Sequence, residues 1–334
     1  MTKPKIVVTN AVFPETAAFL AEHCAVDVNS GLDPWPEAEL RRRCADAEGM
    51  LAFMTDRVDA AFLAACPKLR AVACALKGWD SFDRDACTAA GVWLTIVPDL
   101  LTAPTAELAI GLVLALGRNI LAGDRQVRGN AFRGRRPQLY GVGLADSVVG
   151  IAGAGQVGRA IARRVQGFGP ARILYHDQAA LPPETEQALG VQRVPWMGLV
   201  EACDVLFLAL PLSMETRHML GRAALERIKP GCLLVNVGRG SVVDEAAVAD
   251  ALAALRLGGY AADVFELEDW ALPDRRRDIP NALLASERTV FTPHLGSGVA
   301  EVRWLIEMTA AQNLIDALEG RQPPGAINRP RARV

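Results

Sequence analysis

The segment from Val148 to Val165 restricts this chain more than any other. Val148-Val149-Gly150-Ile151-Ala152 is an almost unbroken apolar run that passes straight into Gly153-Ala154-Gly155-Gln156-Val157-Gly158. Val157, Ile161 and Val165 then recur at helical spacing. A buried strand, a glycine turn and a helix in that order make a βα unit whose helix opens where a phosphate can sit. The first glycine permits the tight turn, the second lets the backbone approach a pyrophosphate, and the third lets helix and strand pack closely. Unpaired N–H groups and the positive end of the helix dipole attract the anion. Gly153, Gly155, Gln156, Val157 and Gly158 are therefore candidate dinucleotide-binding residues. Asp177 stands 19 residues after Gly158, just beyond the next apolar run. A carboxylate there accepts hydrogen bonds from an adenosine ribose and repels a 2′-phosphate. Gln178, not an arginine, follows it, which favours NAD over NADP.

The same alternation of short apolar runs and helical patterns fills nearly the whole chain. In the first third, strands are expected at Ile6–Thr9, Ala25–Val28, Met50–Met54, Ala71–Ala75 and Val92–Thr95, with helices near Pro14–His23, Pro36–Ala47, Ala60–Ala65 and Asp83–Ala90. A long helix is expected from Thr102, as N-cap, to about Leu121, with Pro104 tolerated in its first turn. After an arginine-rich loop, a second series has strands at Val148–Ala152, Arg172–Tyr175, Val205–Ala209, Leu233–Asn236, Tyr260–Asp263 and Val290–Thr292. Two βα series imply two doubly wound parallel-sheet α/β domains, and 334 residues are ample for two cores.

A final helix, Gly298–Gly320, carries Val302, Leu305, Ile306, Met308, Leu314, Ile315 and Leu318 on one face. It has no sheet of its own to cover, so it is expected to return to the first domain. That domain then comprises residues 1–101 and 297–334, and residues 102–296 form the dinucleotide-binding domain. The polar, proline-rich tail Arg321–Val334 is expected to be partly loose.

Bulk properties exclude several classes. Thirty-six basic against 38 acidic residues leave a formal charge of -2, without the basic excess that phosphate contacts of a nucleic-acid binder require. The longest apolar stretch, Leu108–Leu116, is too short to span a bilayer, and Ile6-Val7-Val8 reads as a strand rather than a leader. Seven scattered cysteines without a C-x-x-C pair suggest reduced thiols and a cytoplasmic location, with no metal site.

Of the four histidines, His23 falls on an early helix, His176 ends a strand beside Asp177, and His218 lies in a polar segment. His294 follows the last strand and Pro293 and precedes Leu295-Gly296-Ser297-Gly298. That places it at the carboxyl end of a strand, facing the crevice where open α/β sheets bind ligands, and an imidazole is the natural base near neutral pH. Either Glu266 or Glu268, after the strand before it, could orient that ring. Arg239, between Gly238 and Gly240 at another strand end, offers a planar fork to an anion.

The glycine turn, Asn236–Asp244 (N-V-G-R-G-S-V-V-D), Asp263–Glu268 and Thr292-Pro293-His294, in this order and spacing, together resemble the D-2-hydroxyacid dehydrogenase family, and the resemblance covers essentially the whole chain. It implies a flavodoxin-like substrate domain and a Rossmann NAD-binding domain around a cleft, usually in a homodimer. It also implies that Arg239 binds substrate, His294 is the acid–base and Glu268, rather than Glu266, is its partner. Thr105, Leu210, Pro211, Val237, Gly238, Arg239, Asp263 and His294 would join the glycine turn and Asp177 around NAD.

Within the family, Met54–Asp59, Cys74–Asp80, Gly91–Thr95, Val97–Thr102, Gly258–Trp270 and Ala311–Asn313 are similar to the phosphonate (phosphite) dehydrogenase branch. Lys77 is the informative residue, because ordinary 2-hydroxyacid enzymes carry a small residue there. This likeness implies oxidation of a small anion, phosphite, with Lys77 in the catalytic set and Leu76, Gly78, Met54, Tyr140, Ser297 and Arg303 lining the pocket. Arg135 stands where that branch has a tryptophan. A glyoxylate or hydroxypyruvate reductase is the same-fold alternative. A further alternative is an NAD-sensing protein resembling the transcriptional corepressors of this fold.

Overall fold

The protein is described by a computed structural model that covers residues 3–330, so the last four residues of the tail lie outside it. It divides into two compact units, one made of Met1–Leu101, Trp270–Pro273 and Gly298–Val334, the other of Thr102–Asp269 and Asp274–Ser297. Against the boundaries expected from periodicity, Ser297 stays with the second unit and Trp270–Pro273 joins the first.

The first unit holds β1 (Lys5–Val8), β2 (Ala25–Val28), β3 (Gly49–Ala52), β4 (Ala71–Cys74) and β5 (Trp93–Thr95). All neighbours are parallel, in the order β2-β1-β3-β4-β5, which is the flavodoxin-like order. β3 and β4 are buried along their whole length, which is why both read as continuous apolar runs instead of alternating ones. Asp59 and Asp83 accept hydrogen bonds from Phe62 N (2.9 Å) and Ala86 N (2.8 Å), starting the helices Ala60–Ala65 and Arg84–Ala89. The terminal helix Ala300–Leu318 lies on β3 and β4. Ile306, Ala310, Leu314 and Ile315 share one core with Ile6, Val8, Leu51 and Ala73. Leu305, expected on the buried face, is 36% exposed. Ala310, Ala311 and Ala317 take that role, since small side chains let a helix lie close to a sheet.

The second unit holds β6 (Val148–Ala152), β7 (Arg172–His176), β8 (Val191–Arg193), β9 (Val205–Leu208), β10 (Cys232–Asn236), β11 (Leu257–Ala262) and β12 (Thr289–Phe291). The parallel order is β12-β11-β10-β9-β6-β7-β8. The order reverses between β6 and β9, and ligands of such sheets bind at the carboxyl ends beside that switch point. One apolar cluster fills each face of this sheet.

Two local expectations are corrected. The helix from Thr102 ends at Gly117, and the chain resumes as Ile120–Arg128 after a bend of 64°. Asn119, left-handed at φ 55°, makes the break, which asparagine tolerates better than most residues. Thr102 is the first helical residue rather than a cap, and its buried Oγ1 has no hydrogen-bond partner. No single helix among the described residues is long and apolar enough to cross a membrane. All seven cysteines are free and buried. No group of side chains among the described residues is arranged to hold a metal ion.

Candidate active site

The cofactor turn links β6 to the helix Gln156–Val165. Gly153 has φ +95°, and a Cβ there would lie 2.7 Å from the Ala209 carbonyl beyond β9. A Cβ on Gly158 would lie 1.9 Å from Gly153 O, so only glycine lets this helix start so close to the strand. Gly155 differs, because a Cβ there would meet no atom within 4 Å. The space over it is left open by the chain, and no side chain caps the helix that follows. An open cradle of backbone N–H groups at a helix start fits a pyrophosphate, so these residues fit a dinucleotide. Asp177, just past β7, accepts from Ala154 N (2.7 Å) with Oδ2 and from Ala179 N (3.4 Å) with Oδ1, bracing the glycine turn. Leu210 and Val237 are buried, and Pro211 is exposed, at the ends of β9 and β10.

The turn after β12 carries His294. Its φ is 54°, an uncommon conformation for a side chain with a Cβ. The buried Asp263, one residue past β11, holds the turn in that shape. Asp263 Oδ1 accepts from Thr292 Oγ1 (2.6 Å) and Leu295 N (2.6 Å), Oδ2 accepts from Gly296 N (2.8 Å), and its carbonyl accepts from His294 N (2.9 Å). Thr105 Oγ1 adds a bond to Gly296 O (3.1 Å). Burial pushes the Asp263 carboxyl above its ordinary range, opposed by these hydrogen bonds. Both Asp263 and Thr105 thus have a structural task in addition to any cofactor contact.

Glu268 closes a short 3₁₀ turn. Its Oε1 accepts from Phe265 N (2.7 Å), and its Oε2 lies 2.7 Å from His294 Nδ1. A carboxylate there can only accept, which sets the ring proton on Nδ1 and leaves Nε2 outside this bond. Glu266 is occupied elsewhere. Its Oε2 lies 3.2 Å from His218 Nε2, and its Oε1 accepts from Glu245 N (3.0 Å).

Arg239 is half-buried beyond β10. Asn236 braces its turn, donating from Nδ2 to Arg239 O (2.9 Å) and accepting from Gly238 N (3.1 Å). Arg239 Nη1 donates to Gly238 O (2.9 Å), and Asp269 Oδ2 receives Ser241 N (2.6 Å) on the other side. Arg239, Glu268 and His294 thus stand at the carboxyl ends of β10, β11 and β12, three adjacent strands of one sheet.

The first unit holds its own group of expected residues. Met54 follows β3, and Leu76, Lys77 and Gly78 follow β4. Leu76 is buried, while Lys77 is partly exposed with Nζ 3.8 Å from Asp99 Oδ1. Arg303, on the terminal helix, donates from Nη1 to Ala75 O (3.4 Å) at the end of the same strand. Burial pulls its guanidinium below the usual value, with Glu307 opposing. In the second unit Ser297 is half-buried and Tyr140 is 71% exposed. The Arg135 guanidinium stands 5.7 Å from the Tyr140 ring centre, and residues 133–136 are all exposed.

Residues 110–296 match the NAD-binding domain of the D-isomer-specific 2-hydroxyacid dehydrogenases. A glyoxylate reductase of Aeropyrum pernix is 35% identical over 98% of this chain and 97% of its own length. The chain belongs to the D-isomer-specific 2-hydroxyacid dehydrogenase family. A solved Thermus thermophilus protein superposes on this dehydrogenase with a TM-score of 0.88 at 32% identity, covering 97% of this chain and 99% of that one. An NADPH-dependent glyoxylate/hydroxypyruvate reductase of Sinorhizobium meliloti gives 0.83 at 28% identity, covering 99% and 100%. The protein is thus an NAD-dependent oxidoreductase of that family.

Sequence reasoning missed two acids of this dehydrogenase, Asp269 and Glu245. Asp269 pins Ser241 beside Arg239, although nothing in its sequence position foretells that pairing. Glu245 and Glu266 exchange backbone-to-carboxylate bonds (3.0 and 2.8 Å) in a buried pair. Burial pushes Glu245 up to about 7, and its Oε2 has no hydrogen-bond partner. A carboxylate in the first turn of a helix signals only a dipole contact, so its burial was not legible.

Proposed function

We propose that this dehydrogenase oxidises phosphite to phosphate with NAD. The observation that carries the proposal is Lys77, a partly exposed cation at the carboxyl end of β4 and next to the substrate-side residues Leu76 and Gly78. Its contact with Asp99 is long and solvent-facing, and such pairs contribute little, so its charge is available to an incoming anion. A carboxylate carries one negative charge, and phosphite carries up to two. A lysine suits the second.

In the proposed reaction Arg239 binds two oxygens of the substrate through its planar fork. His294, held by Glu268, accepts on Nε2 the proton of a water molecule as its oxygen bonds to phosphorus. The P–H bond is replaced by a P–O bond, and one proton is released. NAD, when bound, supplies the hydride acceptor. Positioning and cationic stabilisation carry most of the rate effect.

The curated relatives favour a second reading, reduction of glyoxylate or a similar 2-oxo acid. The same residues serve it, with His294 donating a proton to the carbonyl oxygen instead of accepting one from water. The discriminating experiment is purified protein with NAD and phosphite, followed by NADH absorbance, beside NADH with glyoxylate and with hydroxypyruvate. NADH formation dependent on phosphite, with a KM raised at least about tenfold by Lys77→Ala, supports the proposal. Turnover of oxo acids alone, or phosphite kinetics untouched in the lysine variant, refutes it. We extend the proposal to a cytoplasmic homodimer, to be checked by sedimentation.

A further inference from the structure

The adenosine end of the cofactor site carries a charge that β8 brings there. Arg193 closes that strand, which pairs with β7, and its Nη2 donates to the carbonyls of Asp177 (2.9 Å) and Gln178 (2.8 Å). The guanidinium is therefore clamped to the backbone of Asp177, the residue expected at the ribose. Both bonds use one nitrogen, leaving the donors of Nη1 and Nε outside them, and the side chain lies at the surface. Phosphate takes guanidinium donors in pairs.

The other charged groups at this end include the Glu186 carboxylate, which accepts from the Tyr175 hydroxyl and acts on it together with Arg193. The Asp177 carboxylate is held by Ala154 N. Arg159, in the first turn of the helix Gln156–Val165, rests on Gln156 Oε1 (3.1 Å) and Gly155 O (3.4 Å). His176 Nδ1 lies against Val194 O at 3.2 Å. A carboxylate alone would repel a 2′-phosphate, but a guanidinium tied to the same residue offsets that repulsion with charge of opposite sign.

We infer that Arg193 makes the ribose subsite accept a 2′-phosphate, so that this protein binds NADP as well as NAD, with Asp177 and Arg193 together setting the ratio. The inference rests on the NAD-binding domain and is independent of whether phosphite or an oxo acid is the substrate.

The test is direct binding, without turnover. Two half-cofactors, 5′-AMP and 2′,5′-ADP, are titrated calorimetrically into wild type and Arg193→Gln. Wild type should bind the two within about tenfold of each other. The variant should weaken 2′,5′-ADP about tenfold, the usual size of one charge-assisted contact, and leave 5′-AMP unchanged, which also reports an intact pocket. Added salt should weaken 2′,5′-ADP more steeply than 5′-AMP in wild type. The inference is overturned if wild type binds 5′-AMP but rejects 2′,5′-ADP, if the variant binds both as wild type does, or if it loses both equally. The wild-type comparison and its salt dependence decide the matter even if the variant does not fold.

Discussion

Glu268→Gln separates the charge of the His294 partner from its shape. Glutamine has the length of glutamate, and its carbonyl oxygen can still accept the Phe265 N–H that closes the 3₁₀ turn. What disappears is the negative charge 2.7 Å from His294 Nδ1. Hydrogen bonds to charged groups contribute about 1.5–3 kcal/mol. Two unit charges ~4 Å apart at an effective dielectric of ~20 interact by about 4 kcal/mol. The pair keeps partial solvent contact, with side chains 31% and 22% exposed, so the smaller range applies. It corresponds to a roughly 10- to 150-fold loss of rate. If His294 accepts a proton from water, as proposed for phosphite, the ring becomes positive only in the transition state, and kcat and kcat/KM should fall together with KM unchanged. Initial rates by NADH absorbance give both parameters, and a single-turnover measurement isolates the chemical step from product release. A variant within about twofold of wild type in the single-turnover rate would show that Glu268 does not act through His294, and the acid–base assignment would have to move.

Arg239→Ala should lower kcat/KM by about a hundredfold or more, the usual cost of removing one oxyanion donor; retention of most of the activity would take Arg239 out of substrate binding. Gly158→Ala places a Cβ 1.9 Å from Gly153 O, and such overpacking costs about 1–3 kcal/mol. A lowered melting temperature and weakened NAD binding by calorimetry are expected, and unchanged values of both would show that the turn opens freely. For Glu245 the folded value of about 7 lies above the ordinary 4.5, so the folded state holds its proton more tightly. Its burial therefore costs stability as pH rises from about 4.5 to 7, by up to about 3 kcal/mol. Glu245→Gln should be more stable than wild type at pH 8 and lose that advantage below about pH 4.5, as read by urea melts at both values; an equal difference at both would contradict the assignment.

Much of this was legible in the sequence because it is local. The strands β6 and β9 announced themselves as apolar runs, and the glycine turn announced itself by strand, turn and helix following one another without a gap. His294 was legible from Pro293 before it and Gly296 after it, a loop at a strand end. β8 was not legible. It has three residues, of which only Val191 is buried, and period-two alternation needs a longer run to be seen. The break at Asn119 is signalled only by Gly117 and Asn119 themselves, since apolar residues at helical spacing continue on both sides. Arg193 shared the fate of its strand, and the choice between Glu266 and Glu268 stayed open at the level of residue types.

By itself, then, the sequence determined the class of each unit, the glycine turn at the switch point and the positions of Arg239, Glu268 and His294 beyond three strands, because each is written in the spacing of neighbouring residues. Only the tertiary structure placed the Glu268 carboxylate against the imidazole, 26 positions away along the chain, and the Arg193 guanidinium on the carbonyls of Asp177 and Gln178. Those pairings depend on how parallel strands order themselves in the sheet, and strand order is set by packing between segments far apart in sequence, where local periodicity carries no information.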